Sequence, residues 1–251
     1  MPAIEARGLR KRYGDTTAVD GLDLTVETGE IFGILGRNGA GKSTTVEIIA
    51  GLRRPDAGEV TVLGLDPWKD RARLRQVLGV QLQETAVHAA LQVRELVRLH
   101  RSFHRDGADP DELIERVGLT ASAKKRFEHL SGGQQQRLSI ALALVGKPRA
   151  VILDELTTGL DPEARRQMWA TVEELRDEGT TIVLVSHNMD EVRRLCDHVA
   201  ILDRGRVVAV DKPAGLIEAA GTDQDDAGES EAFEAAFFAL TGSKLEGEEP
   251  R

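Results

Sequence analysis

The chain has 251 residues, enough for one or two domains at roughly 150 residues each, and ample for a buried core. Acids outnumber bases by 42 to 33, and the excess gathers after position 220, where nine carboxylates face two bases. The near-neutral body therefore lacks the basic field of a protein that coats nucleic acid. Cys196, the one cysteine, can close no intrachain disulfide and build no thiolate metal site, which points to a reducing compartment.

In chain order, short β-rich segments come first. Strands are predicted at 4–13, 17–27, 30–35 and 59–63, with a helix over 42–51 that ends at Gly51. A further strand is predicted over 76–83. The basic cluster just before it (Lys69, Arg71, Arg73, Arg75) alternates with Ala72 and Leu74 and reads as a solvated helix face. From 91 to 146 the spacing turns helical, with Leu91, Leu96 and Leu99 beside Val93 and Val97. Strands return at 150–154, 181–186, 198–202 and 206–210, with helices over 162–178, 189–196 and 212–220. Such alternation implies a parallel sheet covered on both faces, interrupted by an inserted helical subdomain over about 84–146. Residues 1–220 read as one unit, followed by a polar acidic linker at 221–230. The last element predicted is a short amphipathic helix, 231–240, with Phe233, Phe237 and Leu240 on one side. No run of roughly 18 apolar residues offers a membrane span. The N-terminal segment has no apolar stretch of the kind a secretory signal needs.

The sharpest motif is Gly36-Arg37-Asn38-Gly39-Ala40-Gly41-Lys42-Ser43-Thr44, which fits G-x-x-x-x-G-K-[ST] where a strand ends and a helix begins. Glycines let the backbone wrap phosphates with its N–H groups turned inward, and the helix start adds positive partial charge. Lys42 reaches the β- and γ-phosphates, and the Ser43 hydroxyl suits Mg²⁺. The second motif is an apolar run, 151–153, that breaks into Asp154 and Glu155. Ligands of α/β sheets sit at that strand edge. Asp154 is placed to hold Mg²⁺ through water, and Glu155 to orient or deprotonate an attacking water. The third is Leu130-Ser131-Gly132-Gly133-Gln134 at a helix start, which reads both as an N-cap by Ser131 and as an anion site of exposed N–H groups.

With these three motifs in this order, the chain resembles the nucleotide-binding subunits of the ATP-binding-cassette (ABC) ATPases over about residues 3–215. The resemblance implies a P-loop NTPase core of RecA-like α/β type, an N-terminal antiparallel β subdomain and an inserted helical subdomain. It implies ATP and Mg²⁺ as cofactors. It places Ser131, Gly132, Gly133 and Gln134 against the γ-phosphate of a partner subunit's ATP, and Tyr13 against adenine. Gln83 takes the place of a glutamine that touches Mg²⁺ and answers the membrane partner; Gln81 is its rival, and strand register decides between them. Asp161, in Gly159-Leu160-Asp161, falls on the loop that crosses the dimer interface, and also reads as the N-cap before Pro162. His187 matches the residue that senses the γ-phosphate. The other five histidines show no metal-ligand spacing. One departure stands out: Leu156 occupies a position where the family usually has proline, which leaves that turn less constrained.

The resemblance thus implies an ATPase that powers a membrane transporter through ATP-driven homodimerisation. The permease is expected as a separate integral membrane chain, with no nucleic-acid partner. The subunit is expected in the cytoplasm, peripheral on the inner face of the cell membrane. The segments 79–85 and 231–242 resemble those of bacterial drug, lipid or polysaccharide exporters. An importer subunit and a soluble ABC ATPase of iron–sulfur assembly are the alternatives.

Overall fold

Strand alternation and helix caps divide the chain between two sheets. The computed structural model describes residues 2–82, 87–221 and 228–242. β1 (Ile4–Tyr13) and β2 (Thr16–Val26) form an antiparallel hairpin, β3 (Ile31–Gly36) leaves it, and α1 (Lys42–Ile49) follows. β4 (Ala57–Val62) returns to pair with β1, giving the order β2-β1-β4. Ile4, Ala6 and Leu9 of β1 and Leu22, Leu24 and Val26 of β2 are buried in near-alternation, so this sheet has one wet face.

α2 (Arg71–Val77) and β5 (Leu78–Gln81) come next. The strand predicted over 76–83 therefore begins later. The basic run before it winds into a helix with Leu74 buried, while Arg71, Arg73 and Arg75 face solvent. The helical block comprises α3 (Val93–Arg101), α4 (Pro110–Arg116) and α5 (Gly132–Leu144). β6 (Ala150–Asp154), α6 (Pro162–Asp177), β7 (Thr181–Ser186), α7 (Met189–Leu195), β8 (His198–Asp203) and β9 (Arg206–Asp211) follow, then α8 (Pro213–Ala219) and α9 (Glu229–Thr241).

The second sheet has the order β5-β6-β7-β3-β8-β9 and is parallel from β5 to β8, with β9 antiparallel at the edge. Its central strands are buried on both faces, which is why they read as unbroken apolar runs. Ile31, Val151, Leu153, Ile182 and Leu184 face a core shared with Leu138, Val172, Val192 and Phe233. Phe32, Ile34, Ile152, Val183 and Val185 face a second core shared with Val46 and Ile49 of α1 and Leu9 and Leu24 of the smaller sheet. β6, β7 and β3 are neighbours. The chain segments that follow Asp154, Ser186 and Gly36 therefore emerge together at one sheet edge.

Candidate active site

At that edge β3 hands over to α1 through the glycine loop. Gly36 and Gly41 are there for clearance. A Cβ on Gly36 would stand 2.5 Å from the Leu202 carbonyl oxygen, and one on Gly41, at φ +99°, would stand 2.3 Å from that of Ala18. Arg37, Asn38, Gly39 and Ser43 are exposed, Thr44 is half-buried and Ala40 is buried. The Lys42 ammonium folds back over the loop and donates to the carbonyl oxygens of Gly36 (2.7 Å) and Arg37 (3.0 Å). Burial pulls its pKa down, and the nearby Asp154 and Glu155 charges oppose that fall. A phosphate entering the loop offers this cation a charged partner in place of two neutral ones.

Asp154 ends β6 almost fully buried. Desolvation, then the Glu155 charge, pushes its pKa up to about 6, against the pull of Lys42. A desolvated carboxylate and an exposed serine hydroxyl on one sheet edge are a donor set for a hard, oxygen-seeking cation. Among the described residues no three His, Cys, Asp or Glu side chains form a metal cage. Such a cation would take its other ligands from phosphate and water.

Glu155 follows in the left-handed region at φ +53°, a strained conformation for a residue with a side chain. Three bonds hold it there. Its N–H donates to the Val185 carbonyl (2.8 Å), and its own carbonyl accepts from Gln136 Nε2 (2.9 Å) and from the Thr158 N–H (3.3 Å). Leu156 is fully buried, and its carbonyl also accepts from Gln136 (3.3 Å). Packing and Gln136 thus constrain the turn that lacks the family's proline. His187 Nδ1 lies 3.3 Å from Glu155 Oε1, and the ring is largely open to solvent. Leu35, Gly36, Arg37, Asn38, Glu155 and His187 line one cleft of about 450 Å³, together with Met189, Phe237 and Phe238.

The other expected site residues lie elsewhere. Ser131 caps α5: its hydroxyl accepts from the Gln134 N–H (3.3 Å), while Gln134 Oε1 accepts from the Ser131 N–H (3.1 Å). Ser131 and Gly132 are exposed. A Cβ on Gly133 would stand 3.0 Å from the Leu160 side chain, so the Gly159–Leu160 loop sits against this motif. Asp161 caps α6 by accepting from the N–H groups of Glu163 (3.0 Å) and Ala164 (2.9 Å), and those backbone bonds hold its carboxyl below the usual range. None of these residues lines the cleft around Glu155 and His187. Tyr13 ends β1 exposed, with the Arg53 guanidinium 5.2 Å and the Lys11 ammonium 5.8 Å from its ring centroid. Gln83 lies outside the described residues. Its rival Gln81 is buried, and its Oε1 accepts from the Asp154 N–H (3.0 Å), a structural brace at the root of the acidic pair.

Sequence reasoning missed Gln136, Arg53 and the part that Phe237 and Phe238 of α9 play in the cleft. Gln136 carried a weak signal as the third glutamine after the Ser-Gly-Gly start, one helical turn into α5. Arg53 and Phe238 carried none, because only the fold brings them to their partners.

A family described as ABC transporter matches residues 19–158. The chain is 38% identical to the linearmycin resistance ATP-binding protein LnrL of Bacillus subtilis, over 88% of this chain and 72% of that protein. It is 42% identical to the Nod factor export ATP-binding protein I of a Rhizobium species, over 86% and 73%. Among solved structures, an ATP-binding subunit of an ABC transporter superposes with a TM-score of 0.83 at 25% identity, covering 93% of this chain and 99% of that one. A dimeric post-hydrolysis cassette bound to ADP and Pi superposes at 0.77 with 25% identity, covering 83% and 98%.

Proposed function

This chain belongs to the ABC transporter family as an ATP-hydrolysing subunit, and we propose that it drives an exporter whose membrane-spanning part is a separate chain. The observation that carries its chemistry is the meeting of three strand ends, where the phosphate loop, Asp154 with Glu155, and His187 share one edge. Lys42 and the loop N–H groups bind the phosphates of ATP. Asp154 and Ser43 would hold Mg²⁺, which would supply positive charge to the phosphates. Glu155 takes the proton of the attacking water. His187, with Nδ1 turned to Glu155, has Nε2 left for the γ-phosphate.

The site is completed by a second copy arranged head to tail. Ser131 and Gly132 are exposed and away from their own cleft, while Arg37, Asn38 and Gly39 are exposed beside it. Each is half of an anion site that a second copy can complete. The dimeric neighbour bound to ADP and Pi supports a dimer.

An exporter is supported by the relatives named for antibiotic resistance and Nod factor export. Among the described residues no helix is long and apolar enough to cross a membrane. A groove of about 680 Å³ lies between α2, β5 and the loops after α1 and α3, with Leu52 and Phe103 well exposed on its rim. That groove suits an apolar helix of the membrane partner and would hold this subunit on the inner face.

Mixing two crippled proteins tests the shared site. Lys42→Ala damages the phosphate loop a protomer contributes, and Ser131→Arg fills the anion site it contributes with a long cation. Each homodimer then has two broken sites, whereas a mixed dimer has one with both defects and one with neither. Hydrolysis should reappear on mixing, at up to one working site per dimer. No recovery from demonstrated mixed dimers would mean either that the whole site lies within one chain or that both sites must fire together.

A further inference from the structure

The C-terminal helix carries a contact that the nucleotide motifs do not account for. α9 packs against α7, α8, β8 and β9, with Ala232, Phe233 and Ala236 buried in the main core. Phe237 and Phe238 sit at its far end as an edge-to-face pair, with ring centroids 5.6 Å apart. Those two rings and Met189 line the same cleft as Arg37, Asn38, Glu155 and His187. At the near end of α9 the Ser230 hydroxyl donates to Asp190 Oδ1. One end of the helix thus bonds to the start of α7, which Met189 and Asp190 open, and the other shares the cleft with Met189 and with His187 two residues before it.

That segment needs a grip. His187 lies between Ser186, whose hydroxyl accepts from the Asn188 N–H (3.0 Å), and Asn188, which caps α7 by accepting from the Glu191 N–H (3.2 Å). These bonds set the backbone on either side of His187. The ring itself is largely in solvent, with Glu155 Oε1 its named partner at 3.3 Å. Met189, Phe237 and Phe238 are the apolar side chains that line the cleft with it, apart from Leu35.

We propose that α9 is part of the hydrolytic machinery of its own chain, with Phe238 a positioning residue that, together with Met189, holds the His187 segment against Glu155. This rests on the assignment of Glu155 and His187 to hydrolysis. Phe238 is partly buried at the cleft edge, so its truncation disturbs the cleft more than the core. Phe233 is fully buried and does not line the cleft, so the mild change Phe233→Leu is a control for a core substitution in α9 that leaves both cleft rings in place.

The test uses the purified full-length chain with Mg-ATP, comparing wild type, Phe238→Ala, Phe238→Leu, Phe233→Leu and Glu155→Gln. Phe238→Ala should lower kcat by ~10-fold or more, short of the ~10²-fold that a misplacement of about 1 Å produces. The Kd for ATP should stay within about twofold, because binding rests on Lys42 and the loop. Phe238→Leu restores apolar bulk and should recover most of kcat. Phe233→Leu should lower the melting temperature with kcat near wild type. Glu155→Gln separates the two ideas: its inactivity upholds the hydrolytic assignment whatever Phe238 does. An unchanged kcat in Phe238→Ala, or a rise in Kd for ATP that accounts for the whole loss, would overturn the role of α9. So would a Phe233→Leu defect in kcat as large as that of Phe238→Ala.

Discussion

The edge where β3, β6 and β7 end and the starts of α5 and α6 both hold motif residues, yet they are built differently. At the strand edge the groups are poised and under tension. Glu155 sits at positive φ, Asp154 is a desolvated carboxylate with its pKa at about 6, and Lys42 is a half-buried cation turned on its own loop's carbonyls. At the helix starts the side chains are already satisfied. Ser131 and Gln134 cap one another, and Asp161 caps α6. The first region holds strain that a phosphate and a cation relieve. The second offers only backbone N–H groups and an exposed surface, so its contribution to hydrolysis needs another molecule. Mutations in the two regions should therefore separate into losses of turnover and losses of stability.

The largest effect belongs to Glu155→Gln. The amide keeps the shape and the left-handed turn but cannot take a proton. Turnover should fall by ~10² to 10⁴, while ATP still binds and an ATP-held dimer accumulates on size exclusion. Near-normal turnover would remove Glu155 as the base and blur the comparison at its sharpest point.

Asp154→Asn comes next and acts on stability as well as function. The folded carboxyl holds its proton more tightly than the unfolded one, with a pKa of about 6 against 3.8. Ionising it therefore costs the fold nothing below pH 3.8, progressively more up to about 6, and a constant amount above. The substituted amide carries no charge and removes this cost, but it also withdraws a charge that supports Lys42. The net gain without nucleotide should be ~1–2 kcal/mol at about pH 7–8, vanishing near roughly pH 4. Melting curves across that range check it. Mg-dependent ATP hydrolysis should be lost in the same protein. A variant no more stable than wild type at about pH 8 would show that Asp154 is not under tension.

How much of this was readable in advance follows from the range of the interactions. The phosphate loop, the acidic pair and the Ser131 cap are local, each set by a few adjacent residues at a strand or helix end, so their places were legible. The parallel sheet followed from strand–helix alternation, but its order, with β3 between β7 and β8, is set by the tertiary pairing. Gln81 was harder, because Gln81 and Gln83 share one strand parity and only the contact with the Asp154 N–H assigns Gln81 a bracing role. Leu156 read as a loosening of its turn, but its burial and the reach of Gln136 across from α5 constrain that turn. Phe238 was the least legible: apart from its neighbour Phe237, every residue it joins in the cleft stands at Met189 or earlier in the chain.

The smallest effect is the most discriminating. Ser131→Ala removes the hydroxyl that caps α5 and leaves the N–H groups of Gly132 and Gly133 in place. The Gln134 N–H then loses its acceptor, at a cost of ~1 kcal/mol. For a chain of this size that lowers the melting temperature by about 2–4 °C. If the anion site of this motif is made by the backbone, turnover at saturating ATP should stay within about tenfold of wild type, since removing one transition-state donor costs more than that. Ser131→Arg, by contrast, should abolish turnover while the melting temperature falls by a similar few degrees. The pair of substitutions thus asks whether the side chain or the space around it serves the nucleotide. A Ser131→Ala protein with an unchanged melting temperature and collapsed turnover would mean that the hydroxyl itself touches the phosphate. The second region would then be poised like the first, and the division between strained and satisfied motifs would not hold.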